Sequence, residues 1–239
     1  MRYAGLIKQS LLDYPDEIAT VLFTRGCNFR CPYCHNPELL VKPRSGANAP
    51  GITTEEALDF LKRQKGFVDA VVITGGEAGL YGAELSGEFA RFKELGLLCK
   101  LDTNGTNTVL LEQLLRSRLV DYVAMDIKAP LDFRSYKMSA GKLSSEDFFS
   151  VRSSIELLRR ADVTVQFRTT VVPVLHTPED IANIARSIAG CELYTLQQFN
   201  PLVTLEAGYS SALPYSAADM AEMAEMCRQY VKKVQVVNI

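Results

Sequence analysis

Six apolar runs of strand length, each followed by a helical pattern, constrain the fold of this chain more than any other feature. The runs cover residues 18–23, 70–74, 97–102, 122–126, 163–172 and 193–198. All are rich in Val, Ile and Leu without strict apolar–polar alternation, as in parallel strands covered on both faces. The helices between them have legible starts. Thr53 with Glu56 makes a capping-box pattern ahead of Leu58 and Leu61. Ser144 with Asp147 precedes an apolar stripe of Phe148, Val151, Ile155 and Leu158, and Thr177 precedes Pro178 at a first helical position. Ser216 with Asp219 opens a last stripe of Met220, Met223, Cys227 and Tyr230, whose methionines read as flexible core filler.

Strand–helix repetition of this kind makes a parallel sheet with right-handed crossovers. The fold class is therefore α/β. Six units against the eight of a closed barrel predict an open, partial (β/α)6 barrel with outer helices; a doubly wound sheet is the alternative. In both, ligands gather at the C-terminal ends of the strands. A length of 239 residues with 47% hydrophobic side chains suits a single domain over residues 1–239. Residues 41–52, rich in Pro and Gly, and residues 200–215 are long connections, read either as solvated loops or as a lid or docking surface.

Charge and hydropathy exclude whole classes of partner. Twenty-six basic against 28 acidic residues leave a formal charge of −2, with no footprint for nucleic acid or an anionic membrane. No apolar run nears the roughly 20 residues of a membrane span. The first residues do not read as a secretory signal, so a cytoplasmic location is expected.

Three of the six cysteines, Cys27, Cys31 and Cys34, crowd a short stretch behind the first strand run. Cys99, Cys191 and Cys227 are scattered through apolar segments and read as core. Thiolates are the usual ligands of iron–sulfur clusters, and a short loop can aim three of them at one cuboidal cluster. Three ligands for four irons leave one iron open to a substrate. The competing reading is a structural zinc site completed by His35, but zinc ligands are generally separated by two or more residues and His35 is adjacent to Cys34.

The Cys-x3-Cys-x2-Cys spacing, with Tyr33 before the last cysteine, resembles the signature of the radical S-adenosylmethionine superfamily. The run from Gly5 through Leu11, Leu12, Asp13, Tyr14 and Pro15, joined to Gly26 through Pro37, is similar more closely to the activating proteins of anaerobic ribonucleoside-triphosphate reductase. Asp16 stands where those proteins are expected to have glycine. The resemblance implies a 4Fe–4S cluster on Cys27, Cys31 and Cys34, and S-adenosylmethionine bound at its open iron.

It also implies site residues. Gly75, Gly76 and Glu77 would meet the amino group of S-adenosylmethionine, although Ala78 and Gly79 follow where many members have proline and threonine. Asp102, Thr103, Asp126 and the Ala124 carbonyl would hold a monovalent cation against its carboxylate, with Lys128 adding positive charge. For the two aspartates, capping of strand-to-helix turns is the plainer alternative. Arg168, a charge in a buried-looking strand, needs a partner, either the cofactor or an internal salt bridge. Tyr33 would offer its backbone to the adenine or simply pack. Gln197, Gln198 and Asn200 would end the sixth strand facing the cofactor, while His176 reads as a surface or loop residue.

The implied activity is reductive cleavage of S-adenosylmethionine to a 5′-deoxyadenosyl radical that takes hydrogen from a glycine of a partner enzyme. The implied partners are that glycyl radical enzyme and a flavodoxin- or ferredoxin-type electron donor. Alternatives are a radical enzyme acting on a small molecule such as a deazapurine precursor, an activase of a pyruvate formate-lyase, and a metal-binding module without catalysis.

Overall fold

The computed structural model describes residues 1–41 and 50–239, so most of the 41–52 segment lies outside the described residues. The strands and helices follow in order: β1 (Arg2–Tyr3), β2 (Gly5–Ser10), β3 (Ala19–Thr24), β4 (Ile52–Thr53), α1 (Thr54–Arg63), β5 (Ala70–Gly75), α2 (Ala83–Glu94), β6 (Leu98–Thr103), α3 (Thr108–Arg116), β7 (Tyr122–Asp126), α4 (Phe133–Ala140), α5 (Ser145–Leu158), β8 (Thr164–Val171), α6 (Pro178–Ser187), β9 (Leu193–Gln198), α7 (Ala217–Cys227) and β10 (Lys233–Val237).

One sheet takes the order β10-β9-β8-β7-β6-β5-β3-β2. All neighbours in it are parallel except β2, which runs antiparallel to β3. The six expected strands and their helices are present. The structure adds β10 beyond the sixth unit and β2 at the other edge, and β1 and β4 form a separate antiparallel pair. The sheet is open, since β10 and β2 stand at opposite ends of the order.

The four capping boxes form as read. The side chains of Thr53, Ser144, Thr177 and Ser216 each accept from the backbone N–H three residues on, and Glu56, Asp147, Asp180 and Asp219 reach back. These bonds satisfy N–H groups that a helix start otherwise leaves orphaned. Asp16 adopts φ 65°, the left-handed region that glycine enters freely, so the expected glycine has a backbone reason.

The two faces of the sheet differ. Leu22, Val71, Ile73, Leu101, Val123, Met125, Phe167 and Leu196 belong to the main core that includes the helices. Ala19, Val21, Ala70, Val72 and Ala124 form a separate cluster with Tyr14 and Tyr122. Because side chains alternate along a strand, Lys100, Asp102, Asp126 and Arg168 share this second face. The face is apolar and small toward β3 and β5, and charged across β6, β7 and β8. Charge has been gathered on one wall.

Candidate active site

The loop after β3 carries the three cysteines, and its shape is held from several sides. Gly26 N–H donates to Leu39 O at 2.6 Å, and Cys34 N–H donates to Cys31 O at 3.0 Å, closing a turn between two of the thiols. Arg30 folds back to donate to the carbonyls of Cys27 and Phe29 at 2.7 and 2.6 Å. Asn28 ties the loop outward: its Nδ2 donates to Thr106 and Asp147 at 2.9 and 3.1 Å, and its Oδ1 accepts from Asn104 at 2.9 Å. Sequence reading missed Asn28, whose polar neighbours are distant along the chain.

The glycines that end β5 and follow it serve the protein before any ligand. Gly75 has φ 119°, and a Cβ there would stand 2.4 Å from Thr24 N; a Cβ on Gly76 would stand 2.1 Å from Gly26 O. Glu77 N–H then donates to Gly26 O at 2.7 Å. This loop therefore lies directly on the backbone leading to Cys27. Glu77 offers no free carboxylate to an ammonium. Its Oε1 accepts from Gly79 N–H and the Thr103 hydroxyl at 2.8 and 2.7 Å, and its Oε2 from Asn104 N–H at 2.6 Å. Burial pushes its pKa up against those three bonds. The Ala78–Gly79 departure becomes a short 3-10 turn capped by Glu77.

On the charged wall the ladder register explains who meets whom. Asp126 lies opposite Arg168, and Asp102 lies opposite Ala124, whose small side chain leaves room above it. Arg168 Nε donates to Asp126 Oδ1 at 2.8 Å, and its NH1 reaches across to Asp102 Oδ2 at 3.1 Å. Lys128 Nζ is 3.2 Å from Asp126 Oδ2, and Lys100 Nζ is 3.4 Å from Asp102 Oδ1. The result is an alternating chain, Lys100–Asp102–Arg168–Asp126–Lys128, with three cations against two carboxylates. Burial alone would raise the Asp126 pKa, but Arg168 and Lys128 outweigh it and bring it down to about 2. Burial would lower Lys128, and Asp126, Tyr33 and Cys31 override it, holding the ammonium charged.

Arg168 therefore has the internal salt bridge that was the competing reading. The expected monovalent-cation site is partly engaged here: Arg168 and Lys128 hold Asp126, Arg168 holds Asp102 Oδ2 and the Thr103 hydroxyl donates to Glu77, while Asp102 Oδ1, 3.4 Å from Lys100 Nζ, has no hydrogen-bond partner among the described residues.

His176 lies in the loop before α6, as one of its two readings had it, but it is buried at 0% exposure and not at the surface. Its Nδ1 accepts from Val172 N–H at 3.0 Å and its Nε2 lies 2.8 Å from Lys128 O, so the ring pins the backbone that carries Lys128. The Tyr136 hydroxyl accepts from Lys128 N–H at 3.3 Å on the other side.

One cavity at the C-terminal ends of the strands collects Cys27, Cys31, Tyr33, Cys34, Gly75, Gly76, Glu77, Asp102, Thr103, Asp126, Lys128 and Arg168. Gln198 does not line it; Gln197 does. Gln198 instead donates to Tyr215 O and borders a neighbouring groove with His35, Phe199 and Asn200. Among the described residues no three His, Cys, Asp or Glu side chains gather as they would around one metal ion. The donor set is thus three thiols spread along one cavity wall, with Phe29 N–H 3.4 Å from Cys27 Sγ. Burial pushes Cys27 up to about 12 and Cys31 up to about 11, so ligation by a multiply charged metal group must drive off their protons. Soft thiolates with an amide donor and a net positive wall fit a 4Fe–4S cluster. Cys99, Cys191 and Cys227 are buried in the core, as read.

The family model described as the radical SAM superfamily matches residues 21–188. A provisionally named glycyl-radical enzyme activating enzyme of Methanocaldococcus jannaschii is 33% identical over 237 residues, 99% of this chain and 95% of that protein. A pyruvate formate-lyase-activating enzyme of Clostridium pasteurianum is 30% identical over 242 residues, 97% of this chain and 95% of that protein. Among solved structures, SuiB of Streptococcus suis bound to precursor peptide SuiA matches with a TM-score of 0.68 at 14% identity, over 95% of this chain and half (50%) of that one. QueE of Escherichia coli matches with a TM-score of 0.56 at 16% identity, over 100% of this chain and 94% of that one. The two structures speak for the fold alone. The chain belongs to the radical SAM superfamily and, within it, to the glycyl-radical enzyme activating enzymes.

Proposed function

We propose that this enzyme installs the glycyl radical of an anaerobic ribonucleoside-triphosphate reductase. The observation that carries the choice of partner is the joined similarity of residues 5–15 and 26–37 to that group of activating proteins. In this reading Cys27, Cys31 and Cys34 hold a 4Fe–4S cluster, which supplies the electron for reductive cleavage of S-adenosylmethionine. Lys128, fixed by Asp126, Tyr136 and His176, presents its ammonium to the carboxylate of that cofactor. Arg168 and Asp102 keep this end of the wall rigid and charged. The Gly75–Gly76 backbone would meet the amino group of the cofactor, and the Tyr33 backbone would serve the adenine. A flavodoxin- or ferredoxin-type protein delivers the electron, and the work is done in the cytoplasm.

The test is electron paramagnetic resonance on a purified anaerobic ribonucleotide reductase mixed with this enzyme, reconstituted without oxygen, S-adenosylmethionine and a reductant. A glycine-centred doublet is the expected result. The similarity to the Clostridium pasteurianum protein favours a second reading, in which the partner is a formate-lyase-type enzyme. A doublet on that partner alone would transfer the assignment to it. Turnover of a small molecule with stoichiometric 5′-deoxyadenosine and no protein radical would overturn both.

A further inference from the structure

A hydroxyl buried without a partner costs free energy, so one held at a site needs a reason. The Tyr33 hydroxyl is such a group: it is closed off from solvent and has no hydrogen-bond partner among the described residues. The residue is 3% exposed. It packs in one apolar cluster with Val172 and Phe199, just past the ends of β8 and β9, and Cys31 packs against the same cluster. Solvent does not reach this hydroxyl, and Tyr33 lines the same cavity as the three cysteines. Its polar neighbours are Cys31, Lys128, Asp126 and Tyr136, and of these Cys31 is the one that turns into a better acceptor when a metal group binds its sulfur.

We propose that the Tyr33 hydroxyl is a hydrogen-bond donor to the Cys31 thiolate of the bound cluster, and that this bond raises the cluster's reduction potential. The proposal rests on the reading that Cys27, Cys31 and Cys34 carry the cluster. Ligation turns a thiol, a poor acceptor, into a thiolate, a good one. The cost of the unpaired hydroxyl is then recovered in the loaded protein. Hydrogen bonds to ligand sulfurs are among the factors that set iron–sulfur potentials, because the reduced cluster carries one more negative charge and gains more from each donor. The sulfurs are thereby made unequal: Cys27 has a backbone amide from Phe29, whereas Cys31 has a side-chain donor that a substitution can remove.

Tyr33→Phe tests this in the anaerobically reconstituted enzyme, read by a redox titration followed with electron paramagnetic resonance. The expected variant keeps four irons, binds S-adenosylmethionine within about twofold of the parent and shows a more negative potential. Its cluster-free form is at least as stable as the parent, because the lost hydroxyl had no partner there. Replacing Tyr33 by 3-fluorotyrosine, a stronger donor of similar size, should move the potential the other way. That second variant decides the matter should the first fail to load iron. An unchanged potential in a loaded variant overturns the proposal. So does a loss of S-adenosylmethionine affinity at unchanged potential, which would make the hydroxyl a ligand contact. A variant pair that loads zinc in place of iron would instead overturn the cluster reading beneath it.

Discussion

Arg168 shows how much one side chain can be asked to hold. It spans two carboxylates on neighbouring strands, with Asp102 and Asp126 at 3.1 and 2.8 Å. Removing it leaves two half-buried carboxylates without their shared cation, each with one lysine remaining, and breaking such a pair is costly. Arg168→Ala should therefore destabilise the cluster-free protein by about 3 kcal/mol in denaturant unfolding. The pH dependence has a fixed sign. Asp126 has a folded pKa of about 2, below the roughly 3.9 of an unfolded aspartate. Its contribution is thus complete above pH ~4 and drains away as pH falls toward ~2. Asp126→Asn should flatten the stability profile in that window. A profile unchanged by either substitution would show that the wall is not coupled as its distances imply. Arg168 was legible because a charge in a buried-looking strand is unusual, and Asp102, Asp126 and Lys128 through the resemblance of their segments to known activating enzymes. Lys100 and His176 were not, because their partners are set by register and tertiary approach, which local pattern does not encode.

Elements, more than single residues, fix the cysteine loop. Helix α5 is capped by Ser144, whose hydroxyl accepts from Asp147 N–H, while the Asp147 side chain also accepts from Asn28 on the loop. One helix start therefore serves as a cap and as an anchor. Ser144→Ala should cost about 1 kcal/mol of stability, as cap removal usually does, and leave iron content unchanged. Asn28→Ala should leave the helix cap in place and reduce the iron retained after anaerobic gel filtration, since the loop loses its bonds to Thr106, Asp147 and Asn104. Equal iron in both variants would separate the cap from the site. The caps were readable from sequence because each is a four-residue pattern with its own mechanism. Strands β2 and β10 were not. Gly5–Ser10 is an edge strand with exposed Ile7, Lys8 and Gln9, and Lys233–Val237 is broken by Lys233 and Gln235, so neither has the continuous apolar run that marked the inner strands.

At the scale of the whole molecule, the sheet brings every element of the site to one end. The cavity opens where the β strands finish, and the segment after β9 borders it through the groove shared with His35. That segment exposes Leu202 and Leu213 at 86% and 85%. Large apolar side chains that stand this far into solvent beside a site suit contact with another protein. A glycine in a partner's loop has to reach the strand ends, so these leucines should lie at the edge of the contact. Leu202→Glu and Leu213→Glu leave the cysteine loop and the charged wall untouched. S-adenosylmethionine cleavage without partner should stay at the parent's rate. Glycyl radical formed per cofactor cleaved, in the presence of partner, should fall about tenfold for the double variant if two apolar contacts near 0.7 kcal/mol each are lost. A fall in both measurements together would mean that the substitutions had disturbed the site itself. Undiminished radical yield would place the docking face elsewhere, with the exposed Leu11 and Leu12 after β2 as the next pair to substitute.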